Sequence, residues 1–131
     1  MEQTDKDLLF MDLSMRVPYR PMLLVEDDEY GDTVQVLDGV QRDYVCKGGH
    51  IAETSQCWQV KMDKIKPMLH SMASMPEEDR DEYGHMCHEA NWDLDGSIAM
   101  IQWLLERHYD INHLIEKKLA VDADAFIGKS I

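Results

Sequence analysis

The hydrophobic pattern of this chain changes period once, near Pro67, and that change limits its possible folds more than any other feature. Before it, short apolar runs alternate with Gly and Asp clusters, the pattern of strands joined by tight turns. After it, apolar residues recur every three or four positions behind helix-start residues. Strands first and helices afterwards make an α+β chain rather than an alternating α/β one. The expected architecture is a small bent antiparallel β-sheet or SH3-like barrel followed by two or three C-terminal helices.

At 131 residues the chain is expected to form a single domain able to bury its own core. It divides into an N-terminal helix and extended arm (1–21), a β unit (22–66), a helical unit (67–120) and an aperiodic tail (121–131). In the arm, Leu8, Leu9, Phe10, Leu13 and Met15 have the spacing of a short amphipathic helix, which Pro18 and Pro21 end. Strands are expected at 22–25, 33–37, 40–46 and 57–62, with Asp38-Gly39 as a hairpin turn between the second and third. Ser74-Met75-Pro76-Glu77 has capping-box spacing before a helix over 76–90, whose stripe is Tyr83, Met86, Cys87 and Ala90. Asp93 or Asp95 starts a second helix running to about 108. Its Ile98, Met100, Ile101, Leu104 and Leu105 cover most of the circumference, so it is expected to be the most buried element. Asp110 is expected to cap a short third helix with Ile111, Leu114, Ile115 and Leu119 inward. Trp58, Trp92, Trp103, Tyr83 and Tyr109 are the candidates for the seam between the two halves.

Charge narrows the partners. The net charge is −13, with 13 acidic and 7 basic side chains in residues 1–65 and 13 and 6 in residues 66–131. With no basic arm to neutralise phosphates, direct nucleic-acid binding is not expected. An acidic surface favours a protein partner with basic chemistry, or serves solubility alone. No apolar run approaches the ~20 residues that cross a bilayer, so no membrane partner is expected. The acidic start Met1-Glu2-Gln3-Thr4-Asp5-Lys6-Asp7 differs from a basic secretory n-region, and a cytoplasmic protein is expected. Cys46, Cys57 and Cys87 are three, an odd number that suits reduced thiols.

The sharpest site motif is Asn91-Trp92-Asp93-Leu94-Asp95-Gly96. Asn91, Asp93, Asp95 and Gly96 match positions 1, 3, 5 and 6 of a calcium loop, whose oxygens must fill six to eight coordination places. Position 12 is Gln102, a neutral amide where a bidentate carboxylate is needed. Asn91, Asp93 and Asp95 are therefore weak metal candidates, and caps on a helix start are the expected role. His85, Cys87 and His88, and Cys46, His50 and Cys57, lack the tight ligand pairs of a zinc site. Gly48-Gly49 lacks the Lys-Ser/Thr and helix of a phosphate loop. Met68, Met72 and Met75 suit gap-filling at the junction of the halves, or an adaptable groove. No catalytic residue, metal or cofactor is expected from these patterns.

Two stretches are similar to a known group. Lys66-Pro67-Met68-Leu69 with Ser71-Met72-Ala73-Ser74-Met75-Pro76-Glu77-Glu78 resembles a "KPYLRPMSSMTEEE" signature. Ile101-Gln102-Trp103-Leu104, Arg107-His108-Tyr109-Asp110 and Leu114-Ile115-Glu116-Lys117 resemble "IDWLNAHHFDYRGLIEKGLALEA". Both belong to small proteins of gut Bacteroidota genomes and prophages. Their Asp-Leu-(x)2-Arg-(x)-Pro-Tyr opening matches Asp12-Leu13-Ser14-Met15-Arg16-Val17-Pro18-Tyr19. This chain departs at Arg107-His108, where the group has two histidines. The resemblance implies a mobile-element setting and brings no activity or site residues with it. The resulting expectation is a small acidic non-enzymatic protein-binding module. The alternatives are an acidic inhibitor of a nucleic-acid-binding host defence protein, and a small metal-dependent or thiol enzyme.

Overall fold

A computed structural model describes residues 2–26, 31–40, 44–47, 58–89 and 94–125. Helix α1 (Gln3–Arg16) leads into a 3-10 turn (Val17–Tyr19) and then strands β1 (Met22–Val25), β2 (Thr33–Val40), β3 (Tyr44–Lys47) and β4 (Trp58–Lys61). A 3-10 turn (Met62–Lys64) joins β4 to β5 (Ile65–Leu69). After a further 3-10 turn (Met72–Ser74) come α2 (Glu77–Glu89), α3 (Leu94–Glu106) and the short β6 (Val121–Asp122).

The sheet has the order β4-β3-β2-β1-β5-β6. The first five strands pair antiparallel, and β6 adds to β5 in parallel, so the sheet is mixed rather than wholly antiparallel. It stays open, with β4 and β6 at its edges, and does not close into a barrel. Asp38-Gly39 is not a hairpin turn. Strand β2 runs on to Val40, and the register against β3 shifts between Leu37 and Gly39, a bulge of the kind that bends a sheet. Pro67 does not close the β half either. It lies inside β5 opposite Leu23 of β1. Strand β6 pairs with Met68 and Leu69, so among the described residues Pro67 has no second neighbour for a backbone N–H to serve.

Alternation on the central strands turns Leu23, Val25, Leu37, Ile65, Pro67 and Leu69 toward one face. Leu9 and Leu13 of α1 cover that face, and Leu114, Leu119 and Ala120 complete the core. The inward stripe of α1 is Leu9, Asp12, Leu13 and Arg16, the i, i+3, i+4, i+7 positions of one helix face. Two of those four residues are charged, and both are fully buried. Asp12 accepts from Arg16 Nε through Oδ1 at 2.6 Å and from Arg16 Nη2 through Oδ2 at 3.2 Å. Arg16 Nη2 also donates to the Tyr109 carbonyl at 2.8 Å, and Asn112 Nδ2 donates to Asp12 at 2.8 Å. Helix α1 is thereby tied to a corner about a hundred residues away in the chain.

A second cluster of Met75, Trp103, Leu104 and Tyr109 joins the helices to that corner. Tyr83, Trp103 and Tyr109 form a stacked series with centroids 5.9 and 6.1 Å apart, as expected for the seam. Trp92 lies outside the described residues. Helix α3 is not the most buried element: Trp103, Leu104 and Leu105 are buried, but Ile98 and Ile101 are exposed. Residues 110–120 are turns rather than a third helix. His113 and Lys118 take φ values of 57° and 62°, left-handed positions that interrupt helical hydrogen bonding. Asp110 still caps this segment, accepting from the N–H groups of Leu114 and Ile115 at 2.9 Å each. The start of the expected tail is not free, because Val121 and Asp122 pair with β5.

Asp12→Ala leaves the Arg16 charge buried without its partner and should cost about 3–5 kcal/mol of stability in urea titration. Replacing the pair together, Asp12→Leu with Arg16→Met, should recover most of that loss. Leu104→Ala, emptying a buried site in the second cluster, should cost about 2–5 kcal/mol in the same titration.

Candidate functional site

Two surfaces meet the criteria for a site, a polar cleft beside Tyr109 and an apolar groove along α3. The cleft begins with backbone geometry. Strand β5 continues as an isolated parallel bridge between His70 and Tyr109. His70 N–H donates to the His108 carbonyl and Asp110 N–H donates to the His70 carbonyl, each at 2.8 Å. That clasp fixes the His70 ring 6.0 Å from the Tyr109 ring. The pairing of β6 brings Asp124 in beside it.

Asp124 then holds two groups at once. His70 Nδ1 lies 3.0 Å from its Oδ1, and Ser74 Oγ donates to its Oδ2 at 2.9 Å. The Ser71 carbonyl lies 2.8 Å from the same Oγ and competes for its single proton, so this hydroxyl ties the junction together rather than forming a capping box for α2. Across the cleft, Tyr109 OH donates to Asp79 Oδ2 at 2.6 Å. Arg107 lies over the Trp103 ring at 4.2 Å, with carboxylate oxygens of Asp79, Glu82 and Glu106 at 4.0, 3.8 and 3.9 Å. With Pro76, these groups enclose about 310 Å³.

Burial and the bond to Asp79 raise the pKa of Tyr109, because both favour the neutral phenol. Burial, with the nearby charges of Arg16 and His70, lowers that of His108. His108 Nδ1 and Arg16 Nη1 are both buried without a hydrogen-bond partner among the described residues.

The apolar groove lies between the elbow after α1 and one face of α3. Met15, Pro18, Tyr19, Ile98, Ile101 and Leu105 line about 270 Å³. Leu94, Ile98 and Ile101, at i, i+4 and i+7, are 74%, 44% and 43% exposed.

Of the expected metal candidates, Asp95 alone is among the described residues. Asn91 and Asp93 lie outside the described residues, and Asp95 is exposed in the first turn of α3. His85 pairs with Glu89 on an exposed face of α2, and Cys87 packs 3.9 Å from Met100 Sδ. His50 and Cys57 lie outside the described residues, and Cys46 belongs to β3. Among the described residues no group of three or more His, Cys, Asp or Glu side chains is placed to hold a metal ion. No described helix is long and apolar enough to cross a membrane.

Sequence reasoning did not find the cleft. His70 and Asp124 are 54 positions apart, and Tyr109 and Asp79 are 30 apart, so no local spacing reports either pair. Comparison with family models, curated proteins and solved structures gives no match.

His108 supplies a test of this corner. Its pKa is lowered in the folded chain, whereas the unfolded chain takes up a proton near the ordinary value of about 6.5. Its contribution is therefore complete above about pH 6.5 and is lost as the pH falls below that value. The melting temperature should fall between about pH 7 and pH 5. His108→Asn, suited to the φ of 60° at this position, should make that fall shallower.

Proposed function

We propose that this chain is a non-enzymatic protein-binding module whose partner lays an apolar segment, flanked by basic residues, along α3 and the elbow after α1. The observation that carries this reading is the row Leu94, Ile98 and Ile101, exposed beside a groove of apolar side chains. Burying large apolar groups is the main driving force of association, and rows at this spacing are how helical segments recognise one another. Helix α3 contains acidic residues (Asp95, Glu106) and no basic one, so basic flanks on the partner complement it. The resemblance to Bacteroidota prophage proteins fits an element-encoded factor acting on a host protein.

A second reading is favoured by α2, which exposes Glu77, Glu78, Asp81, Glu82 and Glu89. Such carboxylates can stand in for phosphates in the basic cleft of a nucleic-acid-binding host defence protein, with an attraction that salt weakens.

The test is capture from host lysate by wild-type and Ile101→Glu chains at low and high salt, followed by hydrogen exchange on the purified pair. On the first reading, Ile101→Glu loses at least about tenfold in affinity, as for a hot-spot residue. The partner then protects residues 15–19 and 98–105. Equal capture by both chains, or no captured protein, contradicts that reading. Protection confined to α2, lost at high salt, supports the second reading instead.

A further inference from the structure

The polar cleft is independent of the α3 groove, and its chemistry is mixed rather than simply acidic. We propose that it binds a zwitterionic small molecule of the α-amino-acid class, with the ammonium toward His70, Asp79 and Asp124 and the carboxylate toward Arg107. A volume of about 310 Å³ is at the small end of ligand pockets, roughly 300–1,000 Å³, which suits a ligand of that size.

The acceptor side is fixed in advance. Asp124 Oδ1, 3.0 Å from Nδ1, holds the His70 ring at the wall of the cleft, and in the tautomer with the proton on Nδ1 the other nitrogen, Nε2, is an acceptor. Each carboxylate oxygen of Asp124 serves one protein donor, and an ionised carboxylate offers about four lone-pair sites. Asp79 likewise retains lone pairs beyond its bond to Tyr109. An ammonium group brings three N–H donors, enough to engage this set.

Arg107 is the one permanent cation among the lining residues. The Trp103 ring holds it in place, and the carboxylates around it, at 3.8–4.0 Å, are beyond hydrogen-bond length. Among the described residues its hydrogen bond is a long one, 3.4 Å from Nη1 to the Trp103 carbonyl. The guanidinium fork is therefore available to a ligand carboxylate in the bidentate manner. An inorganic anion would engage Arg107 but meet the lining carboxylates Asp79 and Asp124, and a simple amine would make no contact with Arg107 beyond its long ion pairs with Asp79, Glu82 and Glu106. A molecule carrying both charges answers both sides, and Pro76 and the Tyr109 ring leave an apolar wall for its side chain.

The experiment is titration calorimetry of the full chain with L-alanine, L-phenylalanine, L-glutamate and L-lysine. The tightest binder is then compared with its two analogues lacking the carboxylate or the amine. The expected result is saturable binding of at least one amino acid, with each analogue weaker by about tenfold or more, since a charged partner is lost in each case. In Arg107→Gln the difference between the amino acid and its decarboxylated analogue should disappear. His70→Gln should weaken the amino acid while leaving that difference in place. No binding by any of the four, or analogues that bind as well as the parent, would overturn the proposal. Melting curves check that the variants fold, and if Arg107→Gln does not, the comparison on the wild-type chain decides alone.

Discussion

The arrangement depends on a guanidinium that has no access to water. Arg16 is fully buried between α1 and the corner after α3, where its charge is met by Asp12 one helical turn earlier and by the Tyr109 carbonyl. Removing two charges from water is expensive, and their mutual attraction offsets that cost only when geometry is good and further hydrogen bonds are made. Here Asn112 supplies one of those bonds to Asp12. The consequence is directional. Hydrophobic burial alone would let α1 rotate or slide on the sheet, whereas Arg16 Nη2 gains its acceptor outside the helix only by reaching one particular carbonyl.

That carbonyl belongs to the residue around which both halves of the chain meet. The Tyr109 backbone bridges to His70 at the end of β5, its ring stacks on Trp103, and its hydroxyl reaches Asp79 of α2. The polar cleft opens beside this residue, so the same contacts that join the sheet to the helices also shape its walls. The apolar groove forms on the other side of α3 for a related reason. Trp103 and Leu104 turn inward to the second cluster, while Ile98, Ile101 and Leu105, at i, i+3 and i+7, share the face that lines the groove.

Elements whose hydrophobic period matches their burial were legible in the sequence. The strand Met22–Val25, helix Glu77–Glu89 and the α+β order all follow from local pattern and turn chemistry. Legibility failed where a tertiary partner overrode a local rule. Asp12 and Arg16 were not marked as inward residues, because hydrophobic periodicity picks out only apolar positions such as Leu9 and Leu13. Pro67 read as a strand terminator, although a strand with one free side accommodates it. Ile98 and Ile101 read as core because apolar residues covering most of a helix imply burial on all sides. The 110–120 segment has helical spacing and a capping Asp, yet His113 and Lys118 adopt left-handed backbone that no residue type announced. The cleft was invisible for a simpler reason: its contacts join residues tens of positions apart.

Arg16 fuses the sheet and the Tyr109 corner into one cooperative unit. Native-state hydrogen exchange measures this directly, because groups that open together share one opening free energy. The amides of Leu13, Leu37, His70, Asp110 and Leu114 should exchange only through global unfolding, all with the same dependence on denaturant. Exchange of His70, Asp110 and Leu114 through a lower-energy opening, while Leu13 and Leu37 stay protected, would contradict it.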